Sequence, residues 1–136
     1  MGSVWLRGYL LDTHIWYWYL IGSNRLPNSF KDLLNRSSDK CWFSPISVWE
    51  LSMLAKRNRI EIEGEFRKWM TKALKLFPVK EASFNLEVSL VGVEIVLSHR
   101  DPADHFIAAT SLVYDLTLLT LDEKLLDHEW LNSCSS

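Results

Sequence analysis

Short apolar runs alternate with longer amphipathic stretches along this chain. Residues 8–11 form an apolar run closed by Asp12, the length of a buried strand. Residues 14–21 are apolar nearly all round, so periodicity does not separate strand from helix there. Asp12-Thr13 as a cap and Gly22-Ser23-Asn24 as a stop make the segment a helix. Pro27 opens a second helix to about residue 35, at the favoured first position, and a turn follows at 37–39. Residues 40–43 read as a second buried strand. Ser44-Pro45 joins an N-cap to a first-position proline and starts a helix to about Arg57.

Beyond it Gly64 precedes a helix through Leu76, followed by an extended piece at 79–81 and a helix over about 83–91. Residues 93–97 fit either regular structure. Asp101-Pro102 starts a helix that reaches Tyr114, residues 116–120 form a buried strand, and a short helix runs over about 122–126. The polar residues 132–136 are expected to be a frayed tail. Strands alternating with helices argue an α/β fold, a three-layer α/β/α sandwich with a mostly parallel sheet. No linker or internal repeat divides residues 1–136, which are expected to form one domain.

Composition narrows this little. The 136 residues are 48% hydrophobic, enough for a real core. A net charge of −2 advertises no general attraction to nucleic acid, although a bound cation would reverse the sign locally. Cys41 lies in an apolar run and Cys134 in the tail, with no CxxC between them, so a reduced, cytoplasmic setting is the expectation. No stretch reads as a signal peptide or a membrane span.

The candidate chemistry is carboxylate chemistry. In a parallel α/β fold, ligands bind at the carboxyl ends of strands. Asp12 ends the first strand, and Asp122 follows Thr120 at the end of the last clear one. Asp104 lies in the first turn of the helix opened by Asp101, and Glu50 in the second turn of the helix opened by Ser44. Glu50 has Ile46, Met53 and Leu54 as helical neighbours, and a carboxylate on such a stripe must be paired, protonated or metal-bound. A local salt bridge to Lys56 or Arg57 is the alternative. Asp12, Asp101 and Asp122 also suit helix capping, with Asp104 as the acid of a capping box. Thr13, Ser47 and Thr120 stand close by, able to orient a carboxylate or a water, or simply to serve turns and caps.

Four carboxylates at one place repel one another, and a hard divalent ion such as Mg²⁺ removes that cost while activating water toward a phosphodiester. Nothing rivals this arrangement. His14, His99 and His105 are scattered, and no nucleophile elbow, HExxH or phosphate-cradling glycine loop is present. Lys56, Arg57 and Arg59 are candidate RNA phosphate contacts or a solvated helix end. The seven Trp suit core packing, with a few available for a partner groove.

Four blocks, Leu10-Leu11-Asp12-Thr13-His14, Ser47-Val48-Trp49-Glu50-Leu51, His99-Arg100-Asp101-Pro102-Ala103-Asp104 and Leu118-Leu119-Thr120-Leu121-Asp122, together resemble the PIN-domain ribonucleases. The likeness is to the VapC-type toxins of toxin–antitoxin pairs. It implies a PIN-like α/β/α sandwich and an Mg²⁺- or Mn²⁺-dependent endoribonuclease with Asp12, Glu50, Asp104 and Asp122 as metal-binding catalytic acids. Thr13, Ser47, Asp101 and Thr120 would support them. It further implies an RNA substrate, a cognate antitoxin protein and a homodimer. His105 stands where the family usually has Arg, Leu121 where it often has Arg or Ala, and a closing strand is hard to see in 128–131. Two other readings fit the same residues. One is a non-catalytic PIN-like module that binds RNA or protein. The other is an aspartate-nucleophile phosphatase, whose haloacid-dehalogenase pattern wants a second Asp where His14 stands.

Overall fold

A computed structural model describes residues 8–96, 101–127 and 133–134 of the chain. Its strands are β1 (Tyr9–Leu11), β2 (Cys41–Phe43), β3 (Lys80–Glu81), β4 (Thr117–Leu119) and β5 (Ser133–Cys134). They form one parallel sheet in the order β3-β2-β1-β4-β5. The helices are α1 (Thr13–Ile21), α2 (Asn28–Ser37), α3 (Pro45–Lys56), α4 (Phe66–Leu76), α5 (Leu86–Glu94), α6 (Pro102–Tyr114) and α7 (Glu123–Leu126). The expected α/β fold with a parallel sheet is the one observed. Among the described residues no helix is long and apolar enough to cross a membrane.

Strand alternation sends neighbouring residues to opposite faces of the sheet. Leu11, Cys41, Phe43 and Leu119 pack on one face with Ile15, Trp16, Phe30, Leu34, Leu51 and Met70. Leu10 and Leu118 pack on the other with Ile107, Ala108 and Leu125. Both faces are therefore covered, which is why the strands read as unbroken apolar runs. Trp16 stacks flat on Phe43, with ring centroids 4.7 Å apart. Burial pushes the Cys41 thiol up to about 12, with the Asp39 charge adding, so it is inert packing.

Local chemistry sets the helix ends. Asp12 caps α1, and Gly22 ends it in the left-handed conformation. Ser44 caps α3 ahead of Pro45, and Asp101 caps α6 ahead of Pro102. Some boundaries depart from the sequence reading. Pro27 precedes α2 instead of beginning it, and α2 extends to Ser37, so the expected turn becomes a 3-10 turn over Ser38–Lys40. Helix α4 begins at Phe66. Helix α5 is displaced to Leu86–Glu94 because the Asn85 side chain accepts from the Val88 amide at 3.0 Å. This assigns 93 and 94 to α5, while residue 97 lies outside the described residues.

The expected frayed tail is corrected as well. Ser133 and Cys134 form β5, paired with Leu118 and Leu119. Two residues carry no readable alternation, and their pairing rests on backbone hydrogen bonds, as where Thr120 N donates to Cys134 O at 3.1 Å. The stretch 128–131, hard to read as a closing strand, lies outside the described residues.

Gly8 starts β1 at φ +115, and a Cβ there would lie 2.4 Å from the Lys40 carbonyl oxygen of the neighbouring strand entry. Gly22 is also left-handed, at φ +66, but has open space around it. Gly22→Ala should cost about 1–2 kcal/mol from conformation alone. Gly8→Ala should cost clearly more, because strain and backbone overlap add. Urea denaturation of the two variants checks this, and equal midpoints would contradict it.

Candidate active site

The strand order reverses direction between β1 and β4: the chain builds outward to β2 and β3 on one side and to β5 on the other. The crevice at the carboxyl ends of the two central strands is where such sheets bind ligands. Asp12 directly follows β1, and Asp122 lies three residues beyond the end of β4.

Asp12 is held by both oxygens. Its Oδ1 accepts from the Thr13 amide at 2.8 Å, and its Oδ2 accepts from the Thr120 hydroxyl at 2.6 Å. The same Thr120 oxygen accepts from the Asp122 amide at 3.0 Å, tying the ends of β1 and β4 together. Burial raises the Asp12 pKa against those hydrogen bonds and the nearby His14, with the Asp122 charge adding to the rise.

Glu50 is reached through Thr13. The buried Thr13 hydroxyl donates to Glu50 Oε1 at 2.5 Å and lies 2.8 Å from Ser47 Oγ. A hydroxyl has one proton, so with Thr13 donating to Glu50 the Ser47 hydroxyl donates to Thr13. Burial pushes the Glu50 carboxyl up to about 7; the Thr13 bond opposes this, and the charges of Asp12, Asp101 and Asp104 add to it. The expected alternative for Glu50, a local pairing with Lys56 or Arg57, gives way to this bond to Thr13. Arg57 and Glu50 do share the lining of a side cavity of about 280 Å³, with Trp49 and Asp101.

Asp104 is buried in the first turn of α6, and Asp101 caps that helix through the Ala103 amide at 3.1 Å. Asp122 caps α7, accepting from the Lys124 amide at 2.9 Å. The capping alternative is thus correct for Asp12, Asp101 and Asp122, and it coexists with a shared site. Asp12, Glu50, Asp101, Asp104 and Asp122 all line one cavity of about 420 Å³, together with His14, Trp18 and Arg25. Among the described residues no three acidic, His or Cys side chains converge closely enough to hold an ion as they stand. The carboxylates feel one another's charge across the cavity without meeting at one point. Their donor set is all oxygen, which suits a hard divalent ion that keeps several waters.

Three residues of the cavity carried no usable signal. Arg25 sits in the polar turn between α1 and α2, and His14 and Trp18 belong to a helix whose apolar wrap hides its exposed side. Arg59 lines an adjoining cavity of about 370 Å³, whereas Lys56 is exposed and lines neither. His105, where the resembling family usually has Arg, places Nδ1 3.1 Å from the Asp101 carbonyl oxygen.

A parallel α/β domain with carboxylates gathered at its central crevice is the class defined so far. The sequence model of the PIN domain matches residues 9–131, and the chain belongs to that family. Solved structures share the fold. A chain of VapBC2 from Rickettsia felis, crystallised with a DNA fragment from its promoter, superposes with a TM-score of 0.67 at 17% identity, over 93% of this chain and 96% of that one. A toxin–antitoxin complex from Klebsiella pneumoniae gives 0.64 at 17% identity, over 94% and 97%. FitAcB from Neisseria gonorrhoeae gives 0.58 at 19%, over 85% and 88%. Among curated proteins none matches this sequence.

The raised Glu50 pKa has a definite pH signature. The folded state holds that proton more tightly than the unfolded chain, whose Glu titrates near 4.5. Its contribution to stability is therefore full below about 4.5 and lost as pH rises through about 7. In EDTA, Glu50→Gln should melt above the wild type at pH 8, and the gap should close toward pH 4. Thermal melts across that range check this; a variant less stable at pH 8 than the wild type would contradict the sign.

Proposed function

We propose that this protein is a divalent-metal-dependent endoribonuclease, the toxin of a toxin–antitoxin pair. The observation that carries the reading is the single cavity at the β1–β4 switch point that Asp12, Glu50, Asp104 and Asp122 share in a PIN-domain chain. Those four acids are the proposed catalytic, metal-holding set, with Mg²⁺ or Mn²⁺ as the ion. Thr13, Ser47, Asp101 and Thr120 are the proposed supports.

A bound divalent ion supplies Lewis acidity toward the phosphodiester and a water of lowered pKa. The chain's own residues supply position. Thr120 and the Thr13 amide fix the Asp12 carboxylate, and Thr13 fixes Glu50 Oε1, leaving Oε2 for a ligand. Ser47 sets the direction of the Thr13 hydroxyl proton. The aspartate-nucleophile alternative is disfavoured by sequence, since its pattern wants a second Asp where His14 stands. The antitoxin partner is supported by the like-folded proteins, among them VapBC2 and a toxin–antitoxin complex. A homodimer and a cytoplasmic setting complete the proposal.

Asp12→Asn keeps the shape of the side chain and removes its charge. It should abolish Mg²⁺-dependent RNA cleavage, by 10²-fold or more as an order of magnitude for a lost ligand or its support, with the circular dichroism spectrum unchanged. A purified variant as active as the wild type would remove Asp12 from the essential set. Mg²⁺ should also raise the melting temperature of the wild type, because it binds only the folded cluster. Asp104→Asn should blunt that rise. A wild type whose melting ignores Mg²⁺ and Mn²⁺, and whose RNA cleavage is the same in EDTA, would overturn the metal-dependent reading.

A further inference from the structure

Two rows of side chains run along α4 and its C-cap Phe77, each with members one helical turn apart. Trp69, Ala73 and Phe77 form one row, and Lys68, Lys72 and Leu76 the other. With Leu20 of α1 and Glu63 they line a groove of about 260 Å³. Ala73 is buried and Trp69 and Phe77 are partly so, which makes the first row a floor. The second is an exposed rail, with Leu76 62% exposed. The floor is preformed. Trp69 packs beside Tyr17 and Phe66, with ring centroids 6.3 and 6.1 Å away, and Phe77 meets Tyr19 edge-on at 5.2 Å. The volume falls below the range of about 300–1,000 Å³ typical of small-ligand pockets, so the groove suits a partner's side chains rather than a whole small molecule.

Charge is one-sided here. Between Phe66 and Leu76, α4 carries Arg67, Lys68, Lys72 and Lys75 and no acid, in a chain whose net charge is −2. Among the described residues Glu63 is the one acid in the groove's lining. An apolar floor under a row of cations is complementary to an amphipathic helix with aliphatic anchors one turn apart and Asp or Glu beside them. Nucleic acid fits less well, because its phosphates would meet Leu76 at the rail and the Trp69 ring is already packed against Tyr17 and Phe66. The chain's own α5 has such a face, with Leu86, Leu90 and Val93 exposed and Glu87 and Glu94 on the same helix. However, α4 packs on one face of the sheet through Met70 and Ala73, while α5 packs on α6 on the other. A copy seated in the groove would leave its own groove open and build an unclosed chain. That favours a separate protein.

We propose that the α4 groove docks an acidic amphipathic helix of another protein: its aliphatic side chains seat over Trp69, Ala73 and Phe77, and its carboxylates pair with Lys68 and Lys72. The groove shares no lining residue with the acidic crevice, so this docking stands apart from the nuclease reading. A partner held there is gripped without entering the crevice.

The probe is a phage-displayed library of random peptides of about 15 residues, long enough to form a helix. It is selected on the full chain and, in parallel, on its Lys68→Glu, Lys72→Glu variant. Both side chains are exposed, and an unchanged melting temperature shows that the variant folds. The wild type should enrich peptides with Leu, Ile or Val four residues apart and Asp or Glu beside them. The charge-reversed variant should enrich the same aliphatic spacing with Lys or Arg instead. In fluorescence anisotropy, the best acidic peptide should bind the variant about tenfold more weakly or worse, two exposed ion pairs having become repulsions. Leu76→Ser should weaken it roughly 3–30-fold through lost apolar contact, and decides by itself if the double variant does not fold. Peptides enriched without acids overturn the proposal, as does an acidic peptide that wild type and variants bind equally, or no enrichment at all. A short RNA or DNA that outcompetes every selected peptide and is lost with the same substitutions would give the groove to nucleic acid and overturn it too. So would self-association, seen by sedimentation, that Leu76→Ser abolishes, since the occupant would then be a second copy.

Discussion

A hydrogen bond between residues 108 positions apart holds this site together: the Thr120 hydroxyl on Asp12 Oδ2. Asp12 sits in surroundings that disfavour its charge, and a carboxylate there needs donors to stay in place. Thr120 supplies one and simultaneously accepts from the Asp122 amide. The Thr13 amide supplies the other, and the Thr13 side chain carries the connection on to Glu50 and Ser47. Three elements far apart in sequence, β1 with α1, α3, and the end of β4, are thereby fixed relative to one another. Small hydroxyl residues suit this task because they donate and accept from the same atom.

The acids of the site also serve ordinary structural duties. Asp12, Asp101 and Asp122 each cap a helix, and those caps are what orient their side chains toward the crevice. Capping and a shared cavity are not rival explanations. Helices that follow a strand in a parallel sheet begin at one edge, and so does a helix that leads back into a strand, as α6 does into β4, so N-caps gather there as a consequence of topology. Glu50 is different, since no cap explains it, and its carboxyl is the one pushed up to about 7.

Much of this was readable from residue patterns. Strands β1, β2 and β4 are buried on both faces and announce themselves as apolar runs, and Ser44-Pro45 and Asp101-Pro102 mark helix starts to the residue. Glu50 was visible as a carboxylate among Ile46, Met53 and Leu54. What escaped depends on tertiary contact. Ser133-Cys134 looks like any polar tail until Leu118 and Leu119 are beside it. The Asn85 cap competes with Ser83 as a helix start, and only the observed bond to Val88 decides. Arg25 lies in a turn, where sequence gives no direction to a side chain. The Thr13 bond to Glu50 spans 37 residues and could not be guessed from either neighbourhood.

The pairing of β1 with β4 sets a clock on the appearance of the site. Tyr9 pairs with Thr117, so the centre of the sheet is a contact between distant parts of the chain. Such contacts form late, after loop closure has been overcome. During translation at about 5–20 residues per second, residue 120 follows residue 12 by roughly 5–20 s. Over that interval Asp12 exists without Thr120 to hold it and without Asp122 across the crevice. A ribosome-bound fragment ending before β4 thus carries every carboxylate of the crevice except Asp122, and lacks the strand that holds Asp12 in place. The crevice is complete only once the last central strand has been made.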